Sequence, residues 1–165
     1  MKKLALVSAL AVAAASPLFA GSALAATAQG TATATVVAPI TLTHTSGAVL
    51  AFGSFTAGTG GTVAVTSAGA GSKTGGVVLV AGSTNSADAF TVGGDASRAF
   101  TISTTGSTVA SGANTMAFTT SASSAAGTLS ASGAASFTVG GTLTVAANQA
   151  AGSYTGSYDA TVTYN

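Results

Sequence analysis

The chain has 165 residues, of which 4% are charged, and its formal net charge at pH 7 is +1. So few basic residues exclude an extended cationic patch of the kind that binds nucleic acid or anionic lipid. The chain has no cysteine and one histidine, which excludes disulfides and argues against a metal site or a bound cofactor. Its surface must consist largely of Thr, Ser, Gly and Ala, and such a surface protects poorly against self-association.

The first 25 residues are typical of a secretory signal peptide. Met1-Lys2-Lys3 is positively charged, an apolar alanine-rich segment follows, and Ala23-Leu24-Ala25 is a small-residue cleavage site. We therefore expect export, with residues 1–25 removed. The rest of the chain has two basic and three acidic residues, a net charge of −1, and its length suits one domain.

Residues 26–37 would begin the mature chain, and their pattern predicts a strand over Thr31–Val37. Small apolar residues alternate with polar ones, as in a strand with two different faces. The small apolar face consists of Ala28, Gly30, Ala32, Ala34 and Val36. Pro39 has no N–H to donate to a ladder, so the strand should end before it.

Short alternating or apolar segments predict further strands through the middle of the chain. These predicted strands are Ile40–Thr43, Val49–Phe55, Thr62–Thr66, Gly76–Ala81, Ala89–Val92, Ala99–Ser103, Thr115–Thr119, Ser136–Val139 and Thr142–Ala146. Glycine-rich turns separate them, and we interpret Gly140-Gly141 as a two-residue hairpin turn. Phenylalanines occur one or two to a strand, as a sandwich core requires. We therefore predict an all-β sandwich over residues 38–165.

The last predicted strand, Tyr154–Tyr164, has the clearest alternation. Its apolar face consists of Tyr158, Ala160, Val162 and Tyr164, and polar residues occupy the other face. Chain ends usually fray, so a half-buried strand here suggests that something binds it. Each end of the mature chain thus has an alternating strand with an exposed edge. The two edges could pair with each other or with the edges of neighbouring molecules.

Little in the sequence indicates catalysis. There is no Gly-x-Ser-x-Gly motif, and we interpret His44 as a surface residue at a strand end rather than as a catalytic base. Residues 69–74 superficially resemble a phosphate-binding loop, but Ser72 stands where that motif needs glycine. Thr-x-Thr pairs would bind ice only if they were stacked in register on one face, and Thr is in any case common on outward strand positions. We expect neither an enzyme nor a catalytic site.

The last strand resembles that of chaperone–usher pilins. Those subunits end in an alternating strand with a penultimate aromatic residue and a glycine fourteenth from the end, here Tyr164 and Gly152. The resemblance implies an immunoglobulin-like sandwich that lacks its last strand. In such pilins a periplasmic chaperone fills the gap first, and the N-terminal extension of the next subunit replaces it. That extension alternates apolar residues and includes a glycine, which Gly30 matches; its small residues would suit a groove narrowed by tyrosine rings.

Over most of residues 30–165 the chain more closely resembles a secreted bacterial family, domain of unknown function 4402. The segments that carry this resemblance are Ala34–Thr41, Phe52–Phe55, Phe137–Val145 and Ala150–Tyr154. The resemblance implies a fold and a secreted setting, and it implies no particular activity.

Together these observations predict a structural subunit of an extracellular fimbria or pilus filament, exported through the periplasm to the cell surface. The donor residues would be Ala28, Gly30, Ala32, Ala34 and Val36, within an extension over residues 26–37. The acceptor and chaperone-binding residues would be Gly152, Tyr158, Ala160, Val162 and Tyr164. The expected partners are identical subunits, a periplasmic chaperone and an outer-membrane usher, with neither nucleic acid nor membrane insertion. The alternative is a secreted, self-complemented β-sandwich that binds a surface or matrix partner.

Overall fold

The computed structural model describes residues 24–165, and all the regular structure in that range is β-strand. The chain divides into two units, one ending at Thr35 and the other spanning Val36–Asn165. In the first unit, residues 24–35 have no regular secondary structure and their side chains are exposed. The signal peptide predicted for residues 1–25 lies almost wholly outside the described residues.

The strand predicted over Thr31–Val37 is not formed. A strand needs a partner for its backbone ladder, and residues 31–37 have no regular secondary structure. The alternating pattern therefore shows that this segment is able to form a strand, but it does not show which second strand would pair with it.

The second unit is all-β. Its strands are β1 (Thr41–His44), β2 (Phe55–Thr56), β3 (Gly61–Val65), β4 (Gly71–Gly75), β5 (Val78–Leu79), β6 (Asp88–Gly93), β7 (Ala99–Thr104), β8 (Ser107–Ser111), β9 (Asn114–Ala122), β10 (Ala126–Thr128), β11 (Ala134–Val145) and β12 (Ala160–Tyr164). They form a seven-stranded sheet, a three-stranded sheet in the order β10-β7-β12, and a small β2–β5 pair.

The larger sheet is organised around β11, which pairs antiparallel with three strands. Val139 pairs with Asp88 of β6 and also with Ala122 of β9. Gly141 pairs with β3 and also with β9. Strands β6 and β3 therefore follow one another along one edge of β11, and β9 takes the other edge. Outside these, β1 pairs with β6, β4 with β3, and β8 with β9.

The prediction of a hairpin turn at Gly140-Gly141 is wrong, because both glycines lie inside β11. A Cβ on Gly140 would overlap the carbonyl oxygen of Val65, and one on Gly141 would overlap that of Thr119. Glycine here permits backbones to approach closely from both sides of the strand, rather than allowing the chain to reverse. The two predicted strands on either side of the pair are one strand.

Two apolar clusters form the core. The first lies between the two main sheets and contains Phe90, Val92, Phe100, Ile102, Leu129, Phe137 and Val139. The second lies at the other end of β11 and contains Val63, Val77, Met116, Phe118, Leu143 and Val145. The sandwich prediction is thus confirmed at the level of an all-β protein whose sheets enclose apolar cores.

Other segments depart from the predicted strands. Within Val49–Phe55 only Ala51 forms an isolated bridge, with Ser86, before β2 begins at Phe55. Gly53 has a φ of +72°, which interrupts an extended strand. The short strands β4, β8 and β10 were not predicted, because they contain mainly Ser, Thr, Ala and Gly and no strong apolar alternation.

Candidate functional site

Among the described strands, β12 has a partner along one edge and none along the other. It lies antiparallel to β7 at the side of the three-stranded sheet. At one end of this pairing the N–H of Thr105 donates to the carbonyl of Asp159 (3.0 Å), and at the other end the N–H of Asn165 donates to that of Ala99 (3.2 Å). In an antiparallel ladder, hydrogen-bonded residues alternate with residues whose backbone groups point away.

This alternation determines which backbone groups of β12 are unpaired. Thr161 and Thr163 are in step with Asp159 and Asn165, so they direct their N–H and C=O toward β7. The backbone groups of Ala160, Val162 and Tyr164 therefore point to the opposite edge. No described strand pairs with them there.

The predicted inner face of β12 is confirmed. Ala160, Val162 and Tyr164 are half-buried against the first core cluster, whereas Thr161 and Thr163 are exposed. The four apolar residues predicted as acceptors, with Tyr158 just before the strand, thus share one face. These side chains pack into the core, whereas the free N–H and C=O groups of β12 lie in the plane of the sheet and point away from β7.

Tyr158 connects the two cores. Its ring packs edge-on against Phe90 of the first cluster (6.3 Å between ring centroids) and against Phe118 of the second (6.2 Å). Its hydroxyl donates to Asp88 Oδ2 at 2.7 Å. The residue is thus held by apolar packing on its ring and by a hydrogen bond at its tip.

The last residue of β12 is held at its hydroxyl. The Tyr164 hydroxyl accepts a hydrogen bond from the N–H of Asp95 (2.6 Å) and donates one to the carbonyl of Ala38 (3.0 Å). The Arg98 guanidinium lies over the ring, 5.3 Å from its centroid. Gly94 has no side chain, and a Cβ there would overlap this hydroxyl. Tyr164 is therefore fixed against the segment that leads into β1.

Asp88 is the buried polar residue of the described core, with 5% of its surface exposed. Its Oδ1 accepts from the N–H of Ala89 (2.8 Å) and contacts His44 Nε2 (2.6 Å), while Oδ2 accepts from Tyr158. Burial raises the pKa of Tyr158 well above its ordinary value, and the hydrogen bond to and the charge of Asp88 act in the same direction. Tyr158 therefore remains a donor at neutral pH.

This network was not predicted, although the sequence contained a signal for it. Asp88, Phe90 and Val92 are spaced two residues apart in β6, so their side chains lie on the same face, and this face is buried in the core. An acid on the buried face of a strand needs partners, and His44 at the end of β1 and Tyr158 before β12 supply them. His44 does lie at a strand end, as predicted. Its Nε2 contacts the carboxylate at 2.6 Å.

A cleft lined by both apolar and polar residues lies between the segment that follows β1 and the segment that precedes β12. Its larger chamber, about 950 Å³, is lined by residues of 49–57 and 149–156 and has Val109, Met116 and Leu143 among its walls. A smaller chamber of about 410 Å³ is lined by His44, Asp88, Phe90, Phe118 and Tyr158, among others. Val49, Leu50, Phe52, Val109 and Gly156 line both chambers.

The segment before β12 also has one paired and one open side. Thr155 exchanges two backbone hydrogen bonds with Ala110 of β8, at 2.8 and 3.0 Å. Gly152, predicted as an acceptor residue, is exposed and lines the larger chamber rather than lying on β12. The predicted acceptor residues therefore lie in two places. Ala160, Val162 and Tyr164 lie on β12, whereas Gly152 and Tyr158 line the cleft.

The predicted donor residues lie in the stretch without regular structure. Ala28, Gly30, Ala32 and Ala34 are exposed. Val36, in the second unit, is 96% exposed, so its apolar side chain is buried against no described residue.

The structure thus describes an all-β domain in which one edge of β12 pairs with no described strand, and in which the segment leading into β12 lines a cleft. A family model for a domain of unknown function (DUF4402) matches residues 40–164. This match covers most of the chain, so the protein belongs to the DUF4402 family, as the resemblance predicted. Neither the curated proteins nor the solved structures contain a match. No helix among the described residues has both the length and the hydropathy needed to span a membrane.

Proposed function

We propose that the protein is a structural subunit of an extracellular fimbria-type filament that polymerises by donor-strand exchange. In this proposal it is exported through the periplasm, held by a periplasmic chaperone, passed to an outer-membrane usher and joined to identical subunits at the cell surface. The domain is then an immunoglobulin-like sandwich completed by residues 26–37 of a neighbour. The observation that carries the proposal is the outer edge of β12, which pairs with no described strand, together with an open cleft lined in part by the segment that leads into β12.

The edge offers a specific mode of binding. Ala160, Val162 and Tyr164 each present one backbone donor and one acceptor to a strand added alongside. Each hydrogen bond made there contributes a net of roughly 1 kcal/mol. Such β-augmentation takes its affinity from the backbone and its specificity from alternate side chains.

The leading segment has the properties of such a strand. No side chain of residues 26–37 is charged, so their insertion would bury no ionised side chain. Their apolar side chains alternate, which would direct Ala32, Ala34 and Val36 into the cleft and Thr33 and Thr35 outward. The same segment has no regular secondary structure of its own.

The test compares two aspartate variants that differ only in the face of the added strand. Ala34→Asp places a charge in a desolvated cleft and should abolish assembly, whereas Thr33→Asp places the same charge outward and should leave assembly nearly unchanged. Negative-stain microscopy and size-exclusion chromatography of the purified chain measure the result. Deletion of residues 26–37 should leave a folded subunit that does not polymerise.

The opposite result would favour the alternative. Filaments that persist without residues 26–37 would contradict donor-strand exchange. A stable monomer that ignores a peptide of that sequence would indicate a self-contained secreted domain that binds a surface or matrix partner.

A further inference from the structure

The larger chamber of the cleft is big for the segment proposed to enter it. At about 950 Å³ it lies at the upper end of the range for pockets that hold drug-sized ligands. The donor face offers one glycine, three alanines and one valine. Each buried methyl or methylene contributes only about 0.8 kcal/mol, so most of the stabilisation that the chamber can give is unused.

The cleft cannot shrink easily to fit small side chains, because hydrogen bonds hold its first wall from behind. Asn85 Nδ2 donates to the carbonyl of Phe52 (2.7 Å), and Ser86 Oγ donates to that of Val49 (2.7 Å). The backbones of Ala51 and Ser86 exchange two further hydrogen bonds, at 2.9 and 3.1 Å. Movement of this wall inward would break these bonds.

The opposite wall is fixed in the same way. Gln149 Nε2 donates to the Tyr154 hydroxyl (2.9 Å), which itself donates to the carbonyl of Ala150 (2.8 Å). Tyr154 lines the larger chamber, and Tyr158, which lines the smaller one, donates a hydrogen bond from its hydroxyl to Asp88.

The floor is apolar and well packed. Met116 and Leu143 are buried, while Leu50 and Phe52 are half-buried at the chamber wall. Phe52 packs edge-on against Phe118, with 6.0 Å between ring centroids. A branched or long apolar side chain would find more contacts in this chamber than a methyl group does.

We propose that the size of the donor side chains limits assembly, so that residues 26–37 of a second copy occupy the cleft weakly and reversibly. Ala32 and Ala34 are then the residues that determine affinity, and larger apolar residues at these positions bind more tightly. This inference rests on the proposed function, because it takes a second copy as the occupant.

The experiment measures self-association of the purified chain by sedimentation velocity over a range of concentrations. The double variant Ala32→Leu, Ala34→Leu should lower the concentration for half-assembly at least tenfold, equivalent to about 1.4 kcal/mol. The control Thr33→Leu, Thr35→Leu adds the same two side chains to the outward face and should change that concentration less than about threefold. An equal gain in both variants would indicate nonspecific association and overturn the inference.

A second variant tests whether the gain comes from the chamber. Ala151 is exposed at the chamber wall, so Ala151→Trp should be compatible with folding while filling part of the space. When Ala151→Trp is present, the decrease in half-assembly concentration caused by the two leucines should be at least tenfold smaller. A gain that survives there would overturn the inference.

The outcomes separate this inference from the proposed function. If the unmodified chain assembles but the leucines at Ala32 and Ala34 add nothing, the inference fails and donor-strand exchange stands. If no variant assembles although circular dichroism shows a folded β-protein, both fail. If only the leucine variant assembles, even at the highest concentration of the unmodified chain, residues 26–37 do not bind a second copy, and both the proposed function and the inference are overturned.

Discussion

Strands β4 and β12 both lie at the edge of a sheet, but they differ in what they offer to another chain. All five residues of β4 are exposed, a glycine stands at each end, and Lys73 lies at its centre. In β12 no residue is charged, and Ala160, Val162 and Tyr164 pack inward. Charge and poor side-chain packing discourage edge pairing, so β4 is a protected edge and β12 an open one.

The difference also extends to how each strand is held in place. Strand β4 pairs only with β3 and contributes no residue to either core. Strand β12 is fixed at one end by the Tyr164 hydroxyl and, just before its other end, by Tyr158 on Asp88. An edge that must keep its geometry for a partner benefits from such fixed ends, because less order is then lost on binding.

The largest expected effect comes from removal of the support beneath β12. Asp88→Ala leaves the Tyr158 hydroxyl and the Ala89 N–H without their acceptor, and we expect a loss of about 3 kcal/mol in the free energy of unfolding. The matched control is Asp95→Ala, which removes a surface ion pair with Arg98 (3.5 Å) and should cost at most about 1 kcal/mol. Urea unfolding measures both, and equal costs would contradict a supporting role for Asp88.

Adjacent proline variants should separate the two edges of β12. The N–H of Thr161 points to β7, so Thr161→Pro should destabilise the domain by about 2 kcal/mol. The N–H of Ala160 points to the free edge, so Ala160→Pro should cost about 1 kcal/mol or less yet impair assembly. Urea unfolding and sedimentation report the two quantities. If Ala160→Pro assembles normally, the free edge is not the binding edge.

A smaller effect concerns pH. The pKa of Tyr158 is raised in the folded state, so above the ordinary tyrosine pKa of about 10 the unfolded chain loses this proton while the folded chain retains it. The free energy of unfolding should therefore fall as pH rises above about 10, by less than the limit of about 1.4 kcal/mol per pH unit because the residue is partly exposed. Tyr158→Phe should flatten the fall, because it removes the group whose pKa is raised on folding. Urea midpoints at pH 9 and 11 test this.

The smallest effect on stability, and the most direct test of the comparison, is an exchange of charge between the edges. Thr163→Lys puts a lysine on the exposed face of β12, and Lys73→Thr removes the one from β4. Each should change the free energy of unfolding by no more than about 0.5 kcal/mol. The first should weaken ordered assembly and the second should promote irregular association. Light scattering with microscopy distinguishes these results, and unchanged association in both variants would show that charge does not protect these edges.

The sequence predicted features that depend on side-chain parity and failed where pairing or backbone geometry decides. Alternate residues of a strand lie on opposite faces, so the alternation of apolar and polar residues shows which face is buried. The prediction of the inner face of β12 was correct for this reason. The alternation does not show which strand would pair with a segment. Residues Thr31–Val37 were therefore predicted as a strand, although they have no regular secondary structure in the chain. A pair of glycines occurs both in tight turns and where backbones approach closely. For Gly140 and Gly141, the nearby carbonyls of Val65 and Thr119 show that the reason is close approach.

The candidate site was predicted in part for the same reason. The residues of β12 were found from their alternation, whereas the cleft arises from loops whose packing leaves no periodic signal. Asp88 was recoverable, because its position on a buried face demanded partners elsewhere in the chain. Which partners they are, His44 and Tyr158, depends on strand order, and the sequence does not specify that order.

The continuous strand β11 has a consequence for how the domain comes apart. Its first half supplies Phe137 and Val139 to one core and its second half supplies Leu143 and Val145 to the other. Neither core can be disrupted without disturbing the backbone register of the strand that carries both. We therefore expect a subunit under denaturant or mechanical load to yield in a single cooperative step rather than to shed one half first.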